Sequence, residues 1–162
     1  SGLLGRKENW GRVAPAGVVV ITAGVDVQGD RLEAEVIGWG VGQESWSLQY
    51  HVIHGDPAQN KVWEDLDKVL GQTIPRADGG TSSVLAACVD TGGHHTQKVY
   101  EFCKRREHAR VYAIKGASTA GKPLVSKFSK ANKLRVKLFT LGTDTAKQMI
   151  YSRLKIHQPG PG

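Results

Sequence analysis

Two acids in this sequence each close an apolar run. Asp26 ends VVVITAGVD (18–26) and Asp90 ends VLAACVD (84–90). Desolvating a carboxylate at the end of a buried strand is costly unless it finds a partner, and a metal ion supplies one. Two divalent ions about 3.5–4 Å apart can share one carboxylate, with others flanking them. They then clamp the attacking and leaving oxygens of a phosphodiester. Oxygen-only ligands select hard ions such as magnesium or manganese. Each acid also has a plainer reading. Asp26 precedes the turn signal Gln28-Gly29-Asp30 and could be a hairpin acid, and Asp90 could cap a helix.

His94 and His95 follow Asp90 closely, so either is placed to face a scissile phosphate or merely to cap the helix. No histidine stands at zinc spacing from a cysteine. Val89-Asp90-Thr91-Gly92 has the apolar-Asp-Thr-Gly pattern of aspartic proteases. That chemistry needs a symmetric pair of carboxylates, and the pattern occurs once and leads into a helix. Gly116–Lys122 matches most of a phosphate-binding P-loop, but Pro123 stands where Ser or Thr should hold magnesium. A flexible basic loop is the better reading. It and its flanks carry Lys115, Lys122, Lys127, Lys130, Lys133, Arg135 and Lys137 with no acid among them. Such a run either grips nucleic-acid phosphates or is a solvated lysine surface.

The elements that position these residues follow from periodicity. Val18–Ile21 is β-branched and too short for a membrane span. Strands are predicted over 18–27, 31–39 and 45–54, forming an antiparallel meander with one wet face. A helix over 59–70 ends at Gly71, and residues 72–82 form a loop. A strand over 84–89 leads to a helix over 95–107 and a short strand over 111–114. A long loop covers 116–133, a strand 134–141, and a last helix, capped by Thr143 or Asp144, runs to about 154. Trp39, Trp46 and Trp63 are assigned to the core. Three antiparallel strands, a helix, then strand–helix–strand–strand–helix is the order of a ribonuclease-H-like α/β fold. It has a central mixed sheet with helices on both faces. There the fourth strand lies parallel to the first, putting Asp26 and Asp90 on strands about 4.8 Å apart.

The 162 residues suit one domain, with residues 1–17 as an arm and 18–162 as the folded unit. Ser1-Gly2 reads as a tag remnant, and no signal peptide is visible. Cys88 and Cys103 read as reduced core residues of a cytosolic protein. The net charge of +7 is uneven: residues 1–107 hold 11 Lys and Arg against 14 acids, whereas 108–162 hold 11 against Asp144 alone. An acidic half with a site and a basic half with a surface suggest a polyanionic partner.

The segments ITAGVDVQGDRLEAEVIGWG, ESW, HGDP, VDTGGHHTQKVYEFC and YAIKG together resemble the large terminase subunit of tailed phages, lambda-like branch, over about residues 6–158. The resemblance implies a C-terminal nuclease domain that cuts concatemeric double-stranded DNA with two divalent metals, Mg2+ or Mn2+. Asp26 matches the first-strand acid, bridging both ions, and Asp90 the fourth-strand acid. The family's third acid comes late, which leaves Asp144 or a residue beyond Gly162. An N-terminal packaging ATPase domain, the small terminase subunit and the portal are the implied partners, and the bacterial host cytoplasm is the implied location. The resemblance places that ATPase domain outside the matched residues, in keeping with the defective P-loop. A junction-resolvase or transposase-like nuclease, or a non-catalytic DNA-binding module of the same fold, are the alternatives.

Overall fold

A computed structural model describes residues 3–158 and 160. The tag reading of Ser1-Gly2 and most of the terminal Pro-Gly tail fall outside them. The chain runs β1 (Val20–Val27), β2 (Arg31–Trp39), β3 (Ser45–His54), α1 (Asn60–Leu70), β4 (Thr73–Pro75), β5 (Thr81–Asp90), α2 (Thr96–Arg106), β6 (Val111–Gly116), β7 (Leu138–Leu141) and α3 (Thr143–Leu154). One mixed sheet has the order β3-β2-β1-β5-β6-β7, and β4 pairs with β5. The first three strands are antiparallel, and β1, β5, β6 and β7 are parallel. This is the α/β arrangement of a ribonuclease-H-like domain.

Alternation along β1 and β2 sorts the side chains. Ile21, Ala23, Val25, Leu32, Ala34 and Val36 are buried on one face. There they meet Val62 and Leu66 of α1 and Val99 and Cys103 of α2 in a single core. Trp63 packs its ring 5.2 Å from Phe102 and donates its indole N–H to the Pro57 carbonyl at 2.9 Å. The other face carries Thr22, Gly24 and Asp26, and α3 starts beside it.

Four local expectations change. The 72–82 loop contains β4, because Thr73–Pro75 bonds the start of β5. The strand expected over 134–141 shortens to Leu138–Leu141. Ahead of it the Asn132 side chain bonds both the N–H and the carbonyl of Val136, and Arg135 takes a left-handed φ of 53°. The 116–133 segment is tied down: Val125 and Ser129 bridge Leu141 and Leu138 along the outer edge of β7. α3 is capped by Gly142 rather than Thr143 or Asp144, with no side-chain cap. Trp46 is partly buried against the core. Trp39 is half-buried on the open face, where it donates to Thr22 Oγ1 at 2.8 Å. Within the arm, Ala14 is fully buried and bonds Pro75 and Ala77 through its N–H and carbonyl.

Candidate metal and nucleic-acid site

Val25 of β1 sits in register with Val89 of β5. The next residue on each strand is therefore an aspartate, and Asp26 and Asp90 lie side by side near the ends of neighbouring parallel strands on the open face. Both line a cavity of about 510 Å³. Gly24 lies two residues before Asp26 on the same face, and a Cβ there would meet nothing within 4 Å. The floor of the cavity beside the acids is thus open for lack of a side chain.

Short local contacts aim both carboxylates. Asp26 accepts a hydrogen bond from the Gln28 side-chain amide, and Asp90 Oδ1 accepts the Gly92 N–H at 3.0 Å. Thr91 fixes that turn: its N–H and its hydroxyl both reach the Ile114 carbonyl at 2.9 Å. Among the described residues neither aspartate pairs with a Lys or Arg.

Two further acids line the same cavity and were not singled out from the sequence. Glu33 of β2 lies opposite Asp26 across the β1–β2 pairing, and Glu35 lies opposite Gly24. Unlike the aspartates, both are engaged. Glu33 accepts from the Tyr50 phenol and pairs with Arg31 at 2.6 Å, and Glu35 accepts from Ser47 at 2.7 Å. The Tyr50 phenol foremost, then the Arg31 guanidinium, holds the Glu33 carboxyl below the usual carboxylate range. The same bond raises the Tyr50 phenol. The signal was present in the alternation: Glu33 and Glu35 occupy the wet face of a hairpin whose other strand carries Asp26.

Among the described residues, no three His, Cys, Asp or Glu side chains gather closely enough to hold a metal ion by themselves. Two uncompensated carboxylates still fit a hard divalent ion. Magnesium takes one or two carboxylates and completes its shell with water and substrate phosphate. Asp144 is exposed in the first turn of α3 and lines a separate groove of about 290 Å³ with Gly121, Lys147 and Tyr151. His94 is exposed and His95 half-buried in the turn before α2, and neither lines the acid cavity.

Of the seven basic residues, Lys137 is half-buried and the other six are exposed. None makes an ion pair among the described residues. Lys115 adjoins Gly116, which lines the cavity. The carbonyl of Lys122 accepts from Thr145 at 2.7 Å, and those of Pro123 and Leu124 accept from the Gly142 N–H at 3.1 Å. Lys130 and Lys137 stand over the ring of Phe128. The P-loop look-alike leaves β6 into a turn with no helix after it, so it lacks the helix N-terminus on which that motif depends.

The family model "Terminase large subunit gpA, endonuclease domain" matches residues 1–162. The terminase large subunit of Escherichia phage lambda is 41% identical over 155 residues, covering 96% of this chain and 24% of that protein. That of Enterobacteria phage P21 is 34% identical over 153 residues, covering 94% of this chain and 24% of that protein. The chain thus spans about a quarter of the length of these relatives. No solved structure matches it. Matched from end to end, the chain belongs to the endonuclease-domain family of the terminase large subunit gpA.

Proposed function

We propose that this domain is the metal-dependent endonuclease of a viral DNA-packaging terminase and hydrolyses phosphodiesters of concatemeric double-stranded DNA at Asp26 and Asp90. The observation that carries the reading is the pair of uncompensated carboxylates side by side on an open cavity. Asp26 and Asp90 would hold the divalent ions, two of Mg2+ or Mn2+, with Asp26 shared between them. When bound, such ions supply Lewis acidity and a water of lowered pKa.

The chain's own contribution is placement. Gln28 and the Gly92 N–H fix the two carboxylates before substrate arrives. Glu33, kept ionised by Tyr50 and Arg31, adds negative charge on the β2 side without being free to ligate. The basic residues from Lys115 to Lys137 would hold the DNA backbone, independently of sequence. Asp144 lines a different groove and has no part in the proposed site. In the packaging assembly, in the host cytoplasm, the partners would be an ATPase domain of the same subunit, the small terminase subunit and the portal.

The test is nicking of supercoiled plasmid with manganese. Asp26→Asn and Asp90→Asn should each lose about a thousandfold or more in rate, since several kcal/mol of charge stabilisation goes with them. Melting temperatures without metal should hold. Retained nicking by Asp26→Asn would overturn the reading.

A further inference from the structure

One exposed aromatic lies on the face of the sheet that carries the acids, and the proposed hydrolysis leaves it unused. Phe128 is 46% exposed. It belongs to the segment that bridges the outer edge of β7, and its ring meets Phe139 at 5.6 Å, edge to face. Phe139 in turn meets Tyr112 at 5.3 Å. Phe139 is in register with Ile114, which lines the acid cavity beside Asp90. The aromatic row therefore runs outward across the acid face and ends at a half-open ring.

Two ammonium groups lie close to that ring. Lys137 Nζ lies 5.5 Å and Lys130 Nζ 5.9 Å from its centroid, within cation–π reach. A half-exposed ring with two cations close by offers what a single nucleotide needs: a π-face for the base and charge for the phosphates around it. Bases inside a duplex are stacked on one another and closed to such a ring, so the ligand must be unpaired. From Asp90 to Ile114, to Phe139 and on to Phe128 is three strand steps, or about 14 Å. The duplex rise of about 3.4 Å per nucleotide sets an upper count of about four nucleotides, and an unwound, unpaired strand needs fewer.

We propose that Phe128, with Lys130 and Lys137 beside it, is a stacking platform for an unpaired DNA base no more than about four nucleotides from the phosphate held at Asp26 and Asp90. The inference rests on the nuclease reading and adds to it: the domain holds an unpaired strand as well as duplex, as at a frayed or opened cut site.

The experiment uses a single-stranded oligonucleotide carrying 2-aminopurine and a blunt duplex of the same sequence, both with EDTA. The proteins are the wild type, Phe128→Leu and Phe128→Trp. Leucine keeps an apolar contact with Phe139 and removes the π-face. Wild type should quench the single-strand fluorescence. Phe128→Leu should abolish the quench and weaken single-strand binding about tenfold, with duplex affinity unchanged, and Phe128→Trp should restore both. Single-strand binding by Phe128→Leu equal to wild type, or an equal loss on duplex, would overturn the platform. Plasmid nicking is measured on the same preparations. Nicking with no effect of Phe128→Leu on single-strand binding defeats the platform alone, and stacking without nicking by wild type defeats the nuclease reading alone.

Discussion

The phenol of Tyr50 on β3 donates a hydrogen bond to Glu33 on β2, and both side chains line the cavity that holds Asp26 and Asp90. The bond favours ionised Glu33, so its contribution is present above the ordinary carboxylate pKa and is lost as pH falls through the depressed value. In Tyr50→Phe, only Arg31 remains, and the Glu33 titration should move up toward the ordinary carboxylate range. Carboxyl NMR against pH reads this directly. No movement would assign the depression to Arg31 alone.

Gly24 leaves space beside the two aspartates, and a Cβ there meets no atom within 4 Å. Gly24→Leu should therefore fold, with a strand stabilised by about 0.5–1 kcal/mol from the lost glycine entropy. Its side chain would occupy the approach to Asp26. Manganese-dependent nicking should drop sharply while the melting temperature holds or rises. Full activity would place the scissile phosphate elsewhere.

Lys122, Lys127, Lys130 and Lys133 are exposed and make no ion pair among the described residues. Replacing all four with alanine should flatten the slope of log affinity against log salt by about 0.9 for each phosphate that is no longer neutralised. Duplex binding without metal measures it. An unchanged slope would make these lysines a solvated surface.

Gly142 is where the basic segment is fastened to α3. A Cβ at this position would lie 2.4 Å from the Lys122 carbonyl oxygen and 2.6 Å from that of Pro123. Gly142→Ala must push that backbone away and weaken the bonds from the Gly142 N–H. Amide exchange over 122–129 should quicken, with α1 and α2 unaffected. Unchanged exchange would show that the bridges to β7 suffice.

Burial pushes the Cys103 thiol up to about 12, against about 8.5 in an unfolded chain. Below the lower value the thiol is neutral in both states. Above it only the unfolded chain ionises, so stability falls with rising pH by about 1.4 kcal/mol per unit across that window. Cys103→Ala should melt lower at neutral pH, for want of packing, yet decline less between about pH 9 and 11. Equal declines would assign the alkaline loss to other groups.

The pattern of apolar runs and alternation, with the end signals of the helices, was enough to place every strand but β4 and all three helices, because burial imposes those periods directly. The same pattern located Asp26 and Asp90, since an acid that ends a buried run stands out. Glu33 and Glu35 were hidden by their normality: a polar residue on the wet side of a strand is expected everywhere, and only the pairing of β1 with β2 shows which acid they face. The basic segment read as loose because Lys, Ser and Gly dominate it. Its anchors are backbone bonds from Gly142, Ser126 and Ser129 and the side-chain clamp of Asn132, none of which leaves an apolar period. β4 was missed for the same reason.

Asp26 and Asp90 meet across the seam between β1 and β5. The meander β1–β2–β3 closes through short turns, whereas β1 can pair with β5 only after the whole stretch between them has found its place. Closing so long a loop is entropically slow, and parallel pairing comes late. The two carboxylates therefore stay apart on the nascent chain until β1 and β5 pair. On the proposed reading, cutting would then require a sheet already closed across that seam, so a half-made domain would be harmless to DNA.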